Sequence, residues 1–296
     1  MGWERLGWVD PPADRPWRVT HAALPYGVAL DTGRFRVFFS GRDEESRSWI
    51  TSGVLDIRAG PVWEELDNVP ILAPGEEAAF DGAGVSVGCA LAGGDEFEVW
   101  YHGWALGRDV PWWNSVGAAH GRPESEFRRL SRAPVFDRSD EDPFGHAYPF
   151  RVVIDGTEEL WYSSYARWAK PTDDPPMEFV VKRARLVDGR WQHLGRVLGA
   201  EPPEFAATRP CVIVEDGLWK LWFATRGEHY RIAYAESTDG LQWRRMDDAG
   251  GLEPAGSGGE CLETTYPHVV DAWGERWMFY NGDGYGRSGF GVAVWS

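Results

Sequence analysis

The chain has 296 residues, of which 18 are Trp, 36 Gly and 20 Pro, and carries a formal net charge of -16. That charge, with no Lys/Arg-rich block, argues against any nucleic-acid partner, because such binding neutralises phosphates with a basic face. Aromatics suit strands and Gly/Pro suit turns, so the composition points to an all-β chain, and folds of that class use this length as one domain.

The N-terminus, Met1-Gly2-Trp3-Glu4-Arg5, lacks a basic segment followed by an apolar run, and no stretch approaches the ~18 apolar residues of a membrane helix. A soluble, cytoplasmic protein with no membrane partner is expected, and its oligomeric state is not legible. Cys89, Cys211 and Cys261 are too widely spaced for a zinc pattern and read as buried free thiols.

In chain order, an N-terminal strand over 1–10 precedes repeated units over 20–70, 80–130, 142–195, 204–247 and 260–296. Each unit holds an aromatic pair with a small or polar residue after it: Phe38-Phe39-Ser40, Trp100-Tyr101-His102, Trp161-Tyr162-Ser163, Trp222-Phe223-Ala224 and Phe279-Tyr280-Asn281. The second aromatics recur at spacings of 62, 61, 61 and 57. Pro149, Pro210 and Pro267 stand 13 residues before their aromatic and Pro25 stands 14 before, while Gly88 takes that place in the second unit. Between the two marks runs an apolar strand closed by a turn, as at Asp155-Gly156 and Asp216-Gly217.

A third strand follows in each unit, as at Trp49-Ile50-Thr51-Ser52 and Ile232-Ala233-Tyr234-Ala235, and then a turn and a Trp-containing fourth strand, clearest over Ser237 to Trp243. The last unit reaches the end of the sequence before a fourth strand, and Trp3-Glu4-Arg5-Leu6 resembles Trp243-Arg244-Arg245. The expected fold is an all-β, five-bladed β-propeller of four-stranded antiparallel blades, one domain over 1–296, its ring closed by the N-terminal strand.

In a propeller, residues near the Pro marks and after the aromatic pairs converge on one mouth. Those collected there include His21, Arg42, Asp43, Asp81, Trp104, Asp142, His146, Tyr148, Arg209, Arg226, Tyr230, Glu260, Glu263, Tyr266, His268, Asn281, Tyr285 and Arg287. Carboxylates and amides bind hydroxyls, aromatic faces stack on sugars, and Arg forks grip phosphate or carboxylate. Asp81, Asp142 and Glu263 are the acid/base candidates. Bland readings stand beside these. Asp155, Asp188, Asp216 and Asp239 serve turns, Asp173-Asp174 and Glu44-Glu45 are solvated loop charges, and Pro keeps Arg209 and Tyr266 extended. His146 and His268 are either hydrogen-bonded channel histidines or site residues. No cofactor is indicated, although carboxylates and carbonyls in such a channel could hold Ca²⁺.

Arg36-Val37-Phe38-Phe39-Ser40-Gly41-Arg42-Asp43, Arg209-Pro210-Cys211-Val212, Tyr230 through Ser237 and Tyr266 through Gly291 together resemble the five-bladed propeller superfamily of arabinanases, levansucrases and invertases. That superfamily includes glycoside hydrolase families 43, 32, 68 and 130, and the likeness is nearest to an uncharacterised bacterial group within it. The resemblance implies a carbohydrate-active enzyme working on a glycoside or an anionic sugar. Family-43 enzymes place an Asp base on the first inner strand, where this sequence reads Ala23-Leu24-Pro25. The arginines resemble the phosphate-binding mouths of family-130 phosphorylases. Biosynthetic tailoring of a non-sugar substrate by cyclisation, elimination or transfer, and non-catalytic sugar binding, are the alternatives.

Overall fold

The computed structural model describes residues 2–168 and 177–296, so the Asp173-Asp174 pair lies outside the described residues. After β1 (Trp3–Val9), β2 (Thr20–Ala29), β3 (Arg34–Arg42), β4 (Ser48–Asp56) and β5 (Val62–Leu66) form an antiparallel meander. The next comprises β6 (Gly84–Gly93), β7 (Glu96–Leu106), β8 (Trp112–Gly121) and β9 (Arg128–Arg129), and one parallel bridge from Ser48 to Gly84 joins the two.

The pattern repeats in β10 (His146–Ile154), β11 (Thr157–Trp168), β12 (Met177–Val187) and β13 (Arg190–Gly199). A bridge from Phe179 to Ala206 then leads to β14 (Ala206–Glu215), β15 (Leu218–Arg226), β16 (Tyr230–Ser237) and β17 (Arg244–Arg245). The last sheet runs β1-β20-β19-β18, from β18 (Thr265–Ala272), β19 (Glu275–Asn281) and β20 (Phe290–Trp295). There β1 is the fourth strand, and Gly2 and Ser296 exchange backbone hydrogen bonds of 2.9 and 3.1 Å. Among the described residues no helix is long and apolar enough to cross a membrane.

The turns follow the sequence closely. Asp155, Asp188 and Asp216 have φ of 50° and their glycines 75°, 74° and 79°, the doubly left-handed form that suits two-residue hairpins. Two expectations change. The turn expected at Asp239 forms, its Oδ1 accepting the Leu241 and Gln242 N–H groups at 2.8 Å, but the fourth strand after it is only Arg244–Arg245 and leaves Trp243 outside β17. Cys261 is exposed in the loop before β18, whereas Cys89 and Cys211 are buried in first strands.

The aromatic pairs form core between neighbouring meanders. Phe38, Phe39, Tyr101, Trp161, Tyr162, Phe223, Phe279 and Tyr280 are all almost fully buried. Every first strand shifts register at an equivalent place, Ala23/Tyr26, Val87/Cys89, Ala147/Phe150, Thr208/Cys211 and Thr265/His268, and β2 shifts again at Thr20/Ala23. At four of these the residue before Pro is left-handed, with φ of 58° at Leu24, 53° at Tyr148, 56° at Arg209 and 53° at Tyr266. This corrects the extended conformation expected from the following Pro. A bulge supplies the turn that re-aims the side chain, at a strain of order 1–3 kcal/mol each.

At Leu24, Tyr148 and Arg209 a hydrogen bond from the neighbouring meander offsets that strain, and the equivalent bond in the second meander reaches Val87. Ser40 Oγ accepts the Val87 N–H at 3.0 Å, His102 Nδ1 the Tyr148 N–H at 3.5 Å and Ser163 Oγ the Arg209 N–H at 3.0 Å. Asn281 Oδ1 accepts the Leu24 N–H at 2.7 Å, carrying the pattern from the last meander back to the first. Each acceptor is the residue directly after an aromatic pair. Ala224, which cannot accept, fills the remaining slot.

Candidate functional site

Three acidic residues expected at the mouth sit elsewhere, inside their own meanders. Asp81 is 1% exposed and accepts Tyr101 Oη at 3.0 Å and Arg129 Nε at 2.9 Å. Asp142, fully buried, accepts Tyr162 Oη and Lys182 Nζ, both at 2.8 Å, and Ser164 Oγ, with His193 Nδ1 at 3.1 Å. Glu260 accepts Tyr280 Oη and Arg5 Nε, both at 2.9 Å.

The same spacing recurs each time: the tyrosine follows its acid by 20 residues and is the second member of the aromatic pair. Phe223 has no hydroxyl, and there Glu204 takes Arg245 directly at 2.6 and 2.7 Å while the guanidinium sits 5.9 Å over the Phe223 ring. These carboxylates latch the loop before a first strand to the back of its sheet. Burial pushes the Asp142 carboxyl up, but His146 at 3.7 Å, Lys182, Ser164 and Tyr162 outweigh it and hold the group well below the usual carboxylate range. His146, fully buried against Phe136 and Tyr162, belongs to this latch rather than to the mouth.

Other candidates also serve packing. His268 stacks on Tyr26 at 3.6 Å and its Nε2 lies 2.9 Å from Gly27 O. Asn281 spends its amide on Leu24 N, Ala22 O and Gly289 O. Trp104 Nε1 donates to Ser48 Oγ at 2.8 Å between the first two meanders. Asp43 receives Arg47 Nε at 2.9 Å and Trp49 Nε1 at 2.8 Å, on a cleft of about 630 Å³ that Trp17 also lines.

The rest do meet. The Tyr148 and Tyr266 hydroxyls are 3.3 Å apart, and Tyr230 and Tyr285 rings pack near them, Tyr230 at 5.7 Å from Tyr266 and 5.6 Å from Tyr285. The Arg226 guanidinium lies 5.0 Å from the Tyr230 ring and 5.7 Å from that of Tyr285. His21 is lowered to about 4 by burial and by the charges of Arg42 and Arg287, which places three basic groups together. Among the described residues no carboxylate pairs with Arg42, Arg209, Arg226 or Arg287.

Glu263 lies at the edge of this cup. It accepts the Tyr230 N–H at 3.3 Å and is 4.0 Å from His229 Nδ1. Asp283 holds its loop, Oδ1 accepting the Leu262 and Glu263 N–H groups at 2.9 and 2.8 Å and Oδ2 that of Cys261 at 3.1 Å. Sequence reasoning passed over His102, whose ring contacts Tyr148 at 4.8 Å. Its slot after an aromatic pair was the available signal. Among the described residues no group of three or more His, Cys, Asp or Glu is arranged to hold a metal ion.

Comparison with solved structures defines the fold. A glycoside hydrolase aligns with a TM-score of 0.75 at 13% identity, covering 98% of this chain and 90% of that one. A putative glycoside hydrolase from Parabacteroides distasonis ATCC 8503 gives 0.70 at 13% identity, covering 99% and 96%. The Bombyx mori GH32 beta-fructofuranosidase BmSUC1 gives 0.67 at 15% identity, covering 96% and 63%. The fold is thus that of the propeller glycoside hydrolases of families 43 and 32.

No family model matches the chain. It is 38% identical over 300 residues to the uncharacterized protein Rv1502 of Mycobacterium tuberculosis (strain ATCC 25618 / H37Rv), covering 99% of both chains. The same figures hold for the uncharacterized protein MT1551 of strain CDC 1551 / Oshkosh. The chain belongs to the family of these two mycobacterial proteins.

Proposed function

We propose that the protein is a single-domain, five-bladed propeller whose ring the N-terminal strand closes, and that it is a carbohydrate-active enzyme taking an anionic sugar or glycoside into its central funnel. Ring closure is supported by the Asn281-to-Leu24 hydrogen bond, which continues the neighbour pattern from last meander to first, and by the pairing of β1 with β20. The functional reading rests on one observation: Arg226 lies beside the Tyr230 and Tyr285 rings, and Arg42 and Arg287 act on His21, with no carboxylate partner for any of the three among the described residues, in a chain of net charge -16. With so many acids available, arginines left unpaired beside rings suit a ligand that brings its own negative charge, and the tyrosine faces suit a sugar ring.

Glu263 is the carboxylate positioned to exchange a proton with such a ligand, and Asp283 fixes its loop. Asp81 and Asp142 serve the latches in this reading. Paired-carboxylate cleavage needs a second acid, and among the described residues none accompanies Glu263 in the cup. That observation favours a second reading, elimination or transfer on an anionic substrate, in which the arginines neutralise the substrate and Glu263 or a tyrosine moves the proton.

A thermal-shift screen against sugar phosphates, uronic acids and neutral sugars tests the reading, since a ligand of the native state raises Tm. Anionic sugars should stabilise the wild type and leave Arg226→Ala unmoved. No response to any anionic sugar would sink it. Turnover of a stabilising ligand, abolished by Glu263→Gln, separates an enzyme from a binding module.

A further inference from the structure

Below the rim arginines lies a fourth cation in a different setting. Arg209 leaves the bulge of β14 and its Nη1 donates to Val87 O at 2.7 Å, spanning meanders that are not consecutive in the chain. The Tyr148–Tyr266 hydroxyl pair does the same. The channel axis is therefore crossed by side chains from equivalent bulge positions.

Arg209 is 3% exposed, its Nη2 has no hydrogen-bond partner, and no Asp or Glu among the described residues pairs with it. The groups that feel its charge are neutral. Burial holds His102 and His268 down to about 3, with Arg209 adding to the effect. Burial likewise pushes Cys89 up to about 11 and Cys211 up to about 12, so neither thiol is a counter-ion. Tyr26 and Tyr148 complete the surroundings, their hydroxyls also driven up by burial.

An isolated guanidinium in such surroundings is costly unless an anion accompanies it. A water molecule would satisfy the free N–H but not the charge. We propose that a small inorganic monoanion, of halide or nitrate size, resides on the channel axis against Nη2 of Arg209. This goes beyond the anionic-sugar reading: the rim arginines face an exchangeable ligand, whereas this ion belongs to the folded state.

The test is the Tm of the full chain at fixed ionic strength in sodium chloride, bromide or nitrate against sodium gluconate, whose anion is too large for a buried site. Wild type should melt about 2–4 °C higher in the small anions. Arg209→Gln should lose that difference and Arg226→Gln should keep it. Equal melting in every salt, or the same anion response in Arg209→Gln, overturns the proposal. Should Arg209→Gln fail to fold, wild-type crystals grown in bromide decide: an anomalous peak within hydrogen-bond distance of Nη2 is expected, and its absence overturns the site. A small-anion response without sugar-phosphate binding would sink the sugar reading alone, and the converse would sink only this one.

Discussion

The latches and the mouth are built from the same residue types, and they differ in pairing. At the latches Arg129, Lys182 and Arg5 each reach a carboxylate within 2.9 Å, and a tyrosine hydroxyl completes the contact. At the mouth Arg226 stands beside tyrosines and Arg42 and Arg287 act on His21, and among the described residues no carboxylate pairs with any of the three. Paired and buried, a charge is tied to the fold, and removing one partner strands the other. Cations held together without partners gain nothing for stability from one another, and in the proposed function a ligand accounts for their grouping.

The largest effect should come from the latches. Asp142→Ala strands Lys182 and should cost about 3–5 kcal/mol in denaturant unfolding. A loss below ~1 kcal/mol, the size of an exposed ion pair, would erase the distinction between the regions. The pH dependence sharpens it. The Asp142 carboxyl lies below its unfolded value, so its contribution is full above the ordinary Asp range of about 3.9 and is lost as pH falls through the folded value. The stability gap between wild type and Asp142→Asn should therefore narrow only on acidification below that range, and a gap that widens there would contradict the assignment.

Tyr266→Phe tests a smaller contact. Losing the hydroxyl pair with Tyr148 should cost about 1 kcal/mol, read from the same unfolding curves. Smallest in stability is Arg42→Ala, which should leave Tm nearly unchanged while His21 titrates above its present value of about 4, because a neighbouring positive charge is gone. An unmoved His21 resonance in an NMR titration would mean that the basic cluster is not formed as described.

Much of the fold was legible because its signals are local. Aromatic pairs at a fixed spacing and Asp-Gly turns at Asp155, Asp188 and Asp216 mark strands without knowledge of partners. The short β17 was less legible, since the Asp239 turn also takes the Leu241 and Gln242 N–H groups and leaves the Trp243 that advertised the strand outside it. The site was legible in composition and not in pairing. Asp81, Asp142 and Glu260 precede first strands as site residues would, but Tyr101, Tyr162 and Tyr280 claim them across 20 residues. That spacing was present in the sequence and has meaning only once the sheets are assembled. Left-handed Arg209 and Tyr266 before Pro went against local preference, as strained bulge positions at a site do.

The most direct test of the division between latch and mouth is calorimetric binding of a sugar phosphate and its neutral parent sugar to wild type, Arg226→Ala and Asp81→Asn. Tight binding of the phosphate alone, lost in Arg226→Ala and retained by folded Asp81→Asn, is the predicted result. Equal binding of both sugars, or loss on Asp81→Asn with Arg226→Ala unaffected, would contradict the account.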